Sequence, residues 1–254
     1  MTITPHLSVV LPAYNEGDII VRSLSKIDEF LATQDYSWEV LVVDDGSTDK
    51  TREAVASFVA GKPSFRLLPL DHRGKSFAVR AGVLEATADY ILVTDIDLAV
   101  PISEVKRFLL WAAEHGNDVV FASREGKGAK RIGEPYYRHL IGRIFNTAVQ
   151  LILLPGIQDT QCGFRLFTRK AAQEIFPRLL VYGEAMPVIQ KAFFGAFEAE
   201  VLFLAKKLHY NIKELPVIWT YNKTKRLNFL DNSYKMLRDV VRIRVYDLMG
   251  KYKV

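Results

Sequence analysis

The sequence predicts an α/β fold, a mostly parallel sheet flanked by helices, with an amphipathic helical extension at the C-terminus. Two observations predict it. Through the first 122 residues, short β-branched runs alternate with stretches whose apolar residues recur at three- and four-residue spacing, the pattern of βα units. Each polar cluster in that half falls just after an apolar run, and in open α/β sheets the carboxyl ends of the strands form the ligand-binding edge.

Taken in order, strands are expected at 7–12 (LSVVLP), 38–44 (WEVLVVD), 65–70 (FRLLPL), 90–95 (YILVTD) and 118–123 (DVVFAS). Helices are expected over 18–33, after the DDGSTD cluster, over 75–87 and over 102–115, with Pro101 and Ser103 as start signals for the last. Beyond residue 123 the pattern loosens. SREGKGAKRIGEPYYR reads as a glycine-rich basic loop with no element of its own. A helix over about 137–153 follows, then a break at Pro155 and Gly156, and the loop DTQCGFRLF entering a short strand. A helix near 196–209 and a strand over 212–219 complete the body, and the chain from Phe229 reads as a basic amphipathic helix. The expected organisation is a nucleotide-binding half (1–122) and an acceptor-binding half (123–228) in one domain, with 229–254 as a tail.

With 254 residues, 49% apolar and 25% charged, the chain is long enough for a large core and ordinary in composition. A single cysteine, Cys162, excludes an internal disulfide framework and a multi-cysteine zinc site, so cytoplasmic exposure is the natural reading. Neither a secretory signal nor a transmembrane helix is expected. The longest apolar-rich stretches, 145–157 and 192–205, fall short of the ~20 residues a bilayer requires, and the second reads as a core helix. The net charge of +5 is placed unevenly, in blocks at 124–143 and 223–253. Those blocks suit an anionic partner: phosphate, a membrane surface or nucleic acid. Few aromatic residues interleave them and no nucleic-acid module is recognisable, so no nucleic-acid partner is expected. His72, His115 and His209 lack metal-site spacing and read as surface or helix-end residues, while Cys162 reads as a small buried hydrophobe.

Two acidic pairs ask for an explanation. Asp44 and Asp45 end an apolar strand side by side, so either they flank a turn facing water or a cationic or hydrogen-bonding group meets them. Asp95 and Asp97 close the fourth strand. Alternate strand residues share a face, so both carboxylates reach one site with Ile96 turned into the body. Hard oxygen ligands without sulfur or imidazole suit Mg²⁺ or Mn²⁺ held jointly with a diphosphate.

The segments LSVVLPAYNEGDII, VLVVDDGSTDKT, HRGKSFAVRAG, YILVTDIDLAVP, SR and DTQCGFRLF occur in the order and spacing of family 2 inverting glycosyltransferases with the GT-A fold. Over residues 7–228 the chain resembles, within that family, enzymes that load glucose or mannose onto a polyprenyl (dolichyl) phosphate. The resemblance implies that Pro12, Ala13, Tyr14 and Glu16 form the first nucleotide-binding turn, with the ring flanking the base and the carboxylate reaching the ribose. It implies that Asp45 reads a uracil or guanine edge while Asp44 supports the turn. Lys75 would be the cation near the nucleotide sugar. Asp95, Ile96 and Asp97 would hold the donor, with Asp97 and Asp95 on the metal. Arg124 and Arg138 would clamp the acceptor phosphate, and Arg226 would cover the diphosphate as a lid. A phosphate monoester is already ionised at neutral pH, so it needs holding and not deprotonation. Ala99, Gly142 and Glu198 depart from the family pattern after D-x-D, beside the phosphate arginines and in FEAE.

The expected activity is transfer of glucose from UDP-glucose to a polyprenyl phosphate with inversion and Mg²⁺ or Mn²⁺, peripheral on the cytoplasmic face of a membrane. A GDP-mannose enzyme of the same mechanism is the nearest alternative. A non-catalytic nucleotide-sugar-binding protein is the alternative of another class.

Overall fold

The computed structural model describes residues 4–190, 195–222 and 229–253. Its strands are β1 (Leu7–Ala13), β2 (Trp38–Asp45), β3 (Phe65–Leu70), β4 (Tyr90–Val93), β5 (Val119–Ser123), β6 (Lys130–Ile132), β7 (Arg165–Thr168), β8 (Ile212–Pro216) and β9 (Ile218–Thr220). Its α-helices are α1 (Ile20–Leu31), α2 (Thr51–Val59), α3 (Lys75–Glu85), α4 (Val105–His115), α5 (Tyr136–Ile152), α6 (Arg169–Ile175), α7 (Phe197–Lys207) and α8 (Phe229–Leu248). Seven strands form one sheet in the order β3-β2-β1-β4-β7-β5-β8, and β6 pairs with β9 in a second, two-stranded sheet. Within the large sheet, β7 alone is antiparallel to its neighbours β4 and β5.

Both faces of this sheet are covered, which is why its central strands are continuously apolar instead of alternating. All seven residues of β1 are buried. On one face lie α1, α2 and α4, with Ile20, Leu24, Ile27 and Leu31 of α1 and Phe108 of α4 in the core. Each such fully buried side chain contributes about 1.5–3 kcal/mol. The other face packs α3, α6 and α7, with contributions from α5 and α8. Every residue from Phe197 to Ala205 of α7 is buried, as expected for a core helix; residues 192–194 of that apolar stretch lie outside the described residues.

Three local expectations are corrected. The glycine-rich stretch 123–138 carries a strand, β6, which finds its partner in β9. The stretch 212–219 is accordingly two strands and not one: β8 follows β5 as far as the Pro216–Ser123 pair. There β5 ends; the Val217 N–H donates to Ser123 O at 2.9 Å, and its carbonyl accepts from Lys130 N at 3.1 Å, handing the chain to the second sheet. The third correction concerns the D-x-D carboxylates. β4 stops at Val93, so Asp95 to Asp97 form a turn, closed by Leu98 N–H donating to Asp95 O at 3.1 Å with Leu98 at φ 50°. Strand alternation therefore does not orient the pair, although Ile96 is buried as expected.

The tail is fastened to the body by buried polar contacts. Tyr182 Oη donates to Asp239 Oδ2 at 2.7 Å, and Tyr252 Oη donates to Glu200 Oε1 at 2.6 Å. Glu200 also accepts the N–H groups of Leu180, Val181 and Tyr182 at 2.8, 2.9 and 3.0 Å. Burial pushes its carboxyl above the usual range against these bonds.

Candidate active site

The carboxyl ends of β1, β2 and β4 and the turn after β3 open into one cleft of about 990 Å³. Pro12, Ala13, Tyr14, Glu16, Asp45, Lys75, Asp95, Ile96, Asp97, Arg124 and Arg138 all line it. Residues as far apart in sequence as Pro12 and Arg138 thus meet because β1, β2 and β4 are sheet neighbours and α5 closes the far side. Arg226 lies outside the described residues.

The first two turns are stitched together by short polar bonds. Asn15, at φ 52°, accepts the Thr48 N–H on Oδ1 at 2.8 Å, and Glu16 N–H donates to Thr51 Oγ1 at 2.7 Å. Asp44 is fully buried against Arg52, whose Nε and Nη2 lie 2.8 and 2.7 Å from Oδ2, and its Oδ1 accepts Ser47 N–H. It supports the turn. Asp45 is 2% exposed. Its carboxylate accepts Arg73 N–H at 2.9 Å, Gly74 N–H at 3.0 and 3.1 Å, and His72 Nδ1 at 2.8 Å. Burial raises the Asp45 carboxyl above its usual range, against the lowering pull of those donors.

His72 is the residue that sequence reasoning missed. It is neither a surface nor a helix-end residue: its ring stacks on Tyr14 with centroids 3.8 Å apart and planes 1° from parallel. The HRGK segment was legible as a polar cluster, but a stack across 58 residues leaves no local signal.

At the D-x-D turn, Lys75 at the start of α3 places Nζ 2.6 Å from Asp95 Oδ1 and 3.8 Å from Glu198 Oε1. Burial works against its charge, and these two carboxylates outweigh burial and hold its pKa up. Glu198 also meets Arg165 at 3.7 Å. Asp97 accepts Ala99 N–H on Oδ1 at 3.1 Å. Burial, and then repulsion from Asp95, raise its carboxyl above the usual range. Two hard carboxylates whose mutual repulsion a cation would relieve fit a divalent ion whose remaining ligands come from a diphosphate and water. Among the described residues no cluster of three or more His, Cys, Asp or Glu could hold a metal by itself.

Across the cleft the arginines are already engaged. Arg124 grips Asp159 with Nε to Oδ2 at 2.7 Å and Nη2 to Oδ1 at 2.9 Å, while its backbone N–H reaches Oδ2 at 2.9 Å. Burial alone would raise the Asp159 carboxyl, but Arg124 outweighs it and holds the group well below the carboxylate range. Arg138 donates Nη1 to Tyr221 Oη at 3.0 Å and packs over that ring. Arg131 bridges Glu125 and Glu134 at 2.6 and 2.7 Å. Arg143 also lines the cleft and donates to Gln158 O at 3.1 Å. Cys162 is buried, its thiol pushed up to about 12 chiefly by burial, which makes it unreactive.

A mostly parallel sheet with a D-x-D turn at its carboxyl edge is the architecture of the GT-A class of glycosyltransferase. Residues 8–176 match the glycosyl transferase family 2 model, and the chain belongs to that family. It is 35% identical to the dolichyl-phosphate beta-glucosyltransferase of Dictyostelium discoideum, over 98% of this chain and 77% of that protein. It is 32% identical to the protein of that name from Saccharomyces cerevisiae, over 97% and 76%. Among solved structures, mannosyl-3-phosphoglycerate synthase from Rubrobacter xylanophilus superposes with a TM-score of 0.67 at 17% identity, covering 98% of this chain and 76% of that one. Glucosyl-3-phosphoglycerate synthase from Mycobacterium tuberculosis, in complex with Mn²⁺, UDP and glucosyl-3-phosphoglycerate, gives 0.62 at 20% identity, covering 97% and 80%. At those identities the likeness is one of fold.

Proposed function

We propose that this chain transfers glucose from UDP-glucose to a polyprenyl phosphate, with inversion at the anomeric carbon. The observation that carries the reading is that each carboxylate on the arginine side of the cleft, Glu125, Glu134 and Asp159, is paired with an arginine. A sugar hydroxyl acceptor would need one of them free as a general base. A phosphate monoester needs only guanidinium donors, and that wall supplies them.

In the proposed reaction, an ionised phosphate oxygen forms a bond to the anomeric carbon as the bond from that carbon to the diphosphate oxygen breaks. The electron pair leaves with the nucleoside diphosphate. Approach from the face opposite the leaving group inverts the centre. Asp95 and Asp97 would hold a Mg²⁺ or Mn²⁺ ion, which supplies charge neutralisation to the leaving diphosphate. Lys75 adds positive charge on the same side. Arg138, with Arg124 behind it, orients the acceptor phosphate.

No helix among the described residues is long and apolar enough to cross a membrane. A polyprenyl acceptor resides in a bilayer, and on this reading the chain works peripherally on its cytoplasmic face.

The test is turnover of UDP-glucose with detergent-dispersed polyprenyl phosphate, in wild type, Asp97→Ala and Arg138→Ala. Polyprenyl-phosphate glucose formed by wild type and lost in both variants is expected. Turnover with GDP-mannose alone, or with no nucleotide sugar, would overturn the assignment.

A further inference from the structure

We infer that His72 reads the donor's base, and that Asp45 acts on the base through it; the inference rests on the nucleotide-sugar reading above. Asp45 has little capacity left for a ligand, since Oδ1 accepts from Arg73 and Gly74 and Oδ2 from Gly74 and His72. A carboxylate only accepts, so the proton in the 2.8 Å contact belongs to His72 Nδ1. In the neutral ring, Nε2 is then a lone-pair acceptor. That atom is buried and has no hydrogen-bond partner among the described residues. The side chain is 10% exposed and lies on the cleft wall.

Buried polar atoms in folded proteins nearly always have a partner, so an unmatched acceptor beside a cleft calls for one, and the donor base is the partner inferred here. The imidazole is held rigidly for that purpose. Its backbone is so close to Gly46, at φ 70°, that a Cβ there would fall 2.6 Å from His72 N, and its carbonyl accepts Ile189 N–H at 2.8 Å. Tyr14 covers its face and Asp45 fixes its tautomer. The neighbouring Arg73 guanidinium is directed instead to Met186 O at 3.3 Å and over the Phe77 ring.

An acceptor at this point selects a base that carries an imide or lactam N–H, which uracil and guanine have. Cytosine and adenine present a lone pair on the corresponding ring nitrogen and would meet Nε2 with repulsion. A site built around one hydrogen bond rejects analogues lacking the donor more strongly than it rejects a change of size.

The experiment is calorimetric binding of UDP, CDP, GDP and ADP with Mn²⁺ to wild type, His72→Phe and His72→Gln, with thermal unfolding as the control for folding. Wild type should bind UDP or GDP at least about tenfold more tightly than its CDP or ADP counterpart, a difference well within one good hydrogen bond. His72→Phe keeps a ring to stack on Tyr14 and should bring that ratio to within about threefold, and His72→Gln, which offers an amide oxygen, should recover part of it. A wild-type ratio retained in His72→Phe would overturn the inference and leave the donor reading standing, whereas a wild-type preference for CDP or ADP would overturn both. Failure of wild type to bind any of the four would overturn both.

Discussion

Lys75 Nζ lies 2.6 Å from Asp95 Oδ1, so the D-x-D turn carries a built-in counter-charge. Arg165 compensates Glu198 from the other side at 3.7 Å, but Asp95 has Lys75 as its only ion-pair partner among the described residues. Lys75→Met keeps the stem and removes the charge. It should cost roughly 1–3 kcal/mol in chemical denaturation, between the values for exposed and buried pairs, and weaken UDP binding by about tenfold or more. Unchanged nucleotide affinity would remove Lys75 from the donor site.

Gly163 lets DTQCGF pass directly over that turn. A Cβ at 163 would fall 2.2 Å from Asp95 Oδ2 and 2.7 Å from its Cγ. The atom in the way is the end of a side chain, so the carboxylate swings and the backbone stays. Gly163→Ala should therefore cost about 1 kcal/mol or less in stability while lowering Mn²⁺-dependent nucleotide binding by about tenfold or more. Thermal unfolding and calorimetry on one sample separate the two. Wild-type binding by the variant would mean that the position of Asp95 is unimportant to the donor.

The Arg124–Asp159 pair is deeply buried, at 17% and 3% side-chain exposure. Removing one partner leaves the other charge stranded, so Arg124→Ala should cost about 3–5 kcal/mol, whereas Arg124→Met with Asp159→Leu should recover most of that loss. Because Asp159 is held below its unfolded value, its stabilisation is fully present above about pH 4 and is lost as pH falls through the folded pKa. Acid titration of unfolding should be steeper for wild type than for Asp159→Asn below about pH 4. Parallel curves would show that the pair contributes nothing through linkage. The loss of acceptor turnover expected of Arg124→Ala must accordingly be read beside its stability, while Arg138, paired with the neutral Tyr221 hydroxyl, gives the cleaner kinetic variant.

What the sequence discloses here is what lies close along the chain. β1 to β5, the buried helix α7 and the alignment of polar clusters on one edge are local patterns of apolar period and punctuation, and they are where they were expected. The D-x-D turn was misread as strand because the apolar run stops at Val93 and Thr94 gives no break signal. The split at Val217 depends on where β5 ends, 94 residues earlier. The partner of Arg124 is Asp159, 35 residues away across a helix and a loop, and nothing in either segment names the other. Residue types at the site were legible; the bonds that already occupy Asp45, Arg124 and Arg131 were not, since they depend on three-dimensional neighbours.

The outer face of α5 offers the last prediction. Tyr136, Leu140 and Ile144 are 79%, 48% and 63% exposed, and with Tyr137 and Leu151 they fall within a ~100° arc of the helix. The opposite face carries Arg138, Gly142 and Phe145 into the cleft. One helix thus joins the arginine wall of the cleft to an apolar surface, the arrangement that the proposed acceptor, a phosphate attached to a hydrocarbon chain, would require. Lys127 and Lys130, in the stretch that leads into α5, are exposed and carry positive charge, and tyrosines at one end suit the headgroup level. Wild type should co-sediment with phosphatidylcholine/phosphatidylserine vesicles more than with phosphatidylcholine alone. Tyr136→Ser/Leu140→Ser/Ile144→Ser should lower that binding by about tenfold or more while its UDP affinity stays at the wild-type value, because none of the three touches the cleft. Equal sedimentation of wild type and the triple variant would show that the bilayer meets another face, and with it that the acceptor enters the cleft from elsewhere.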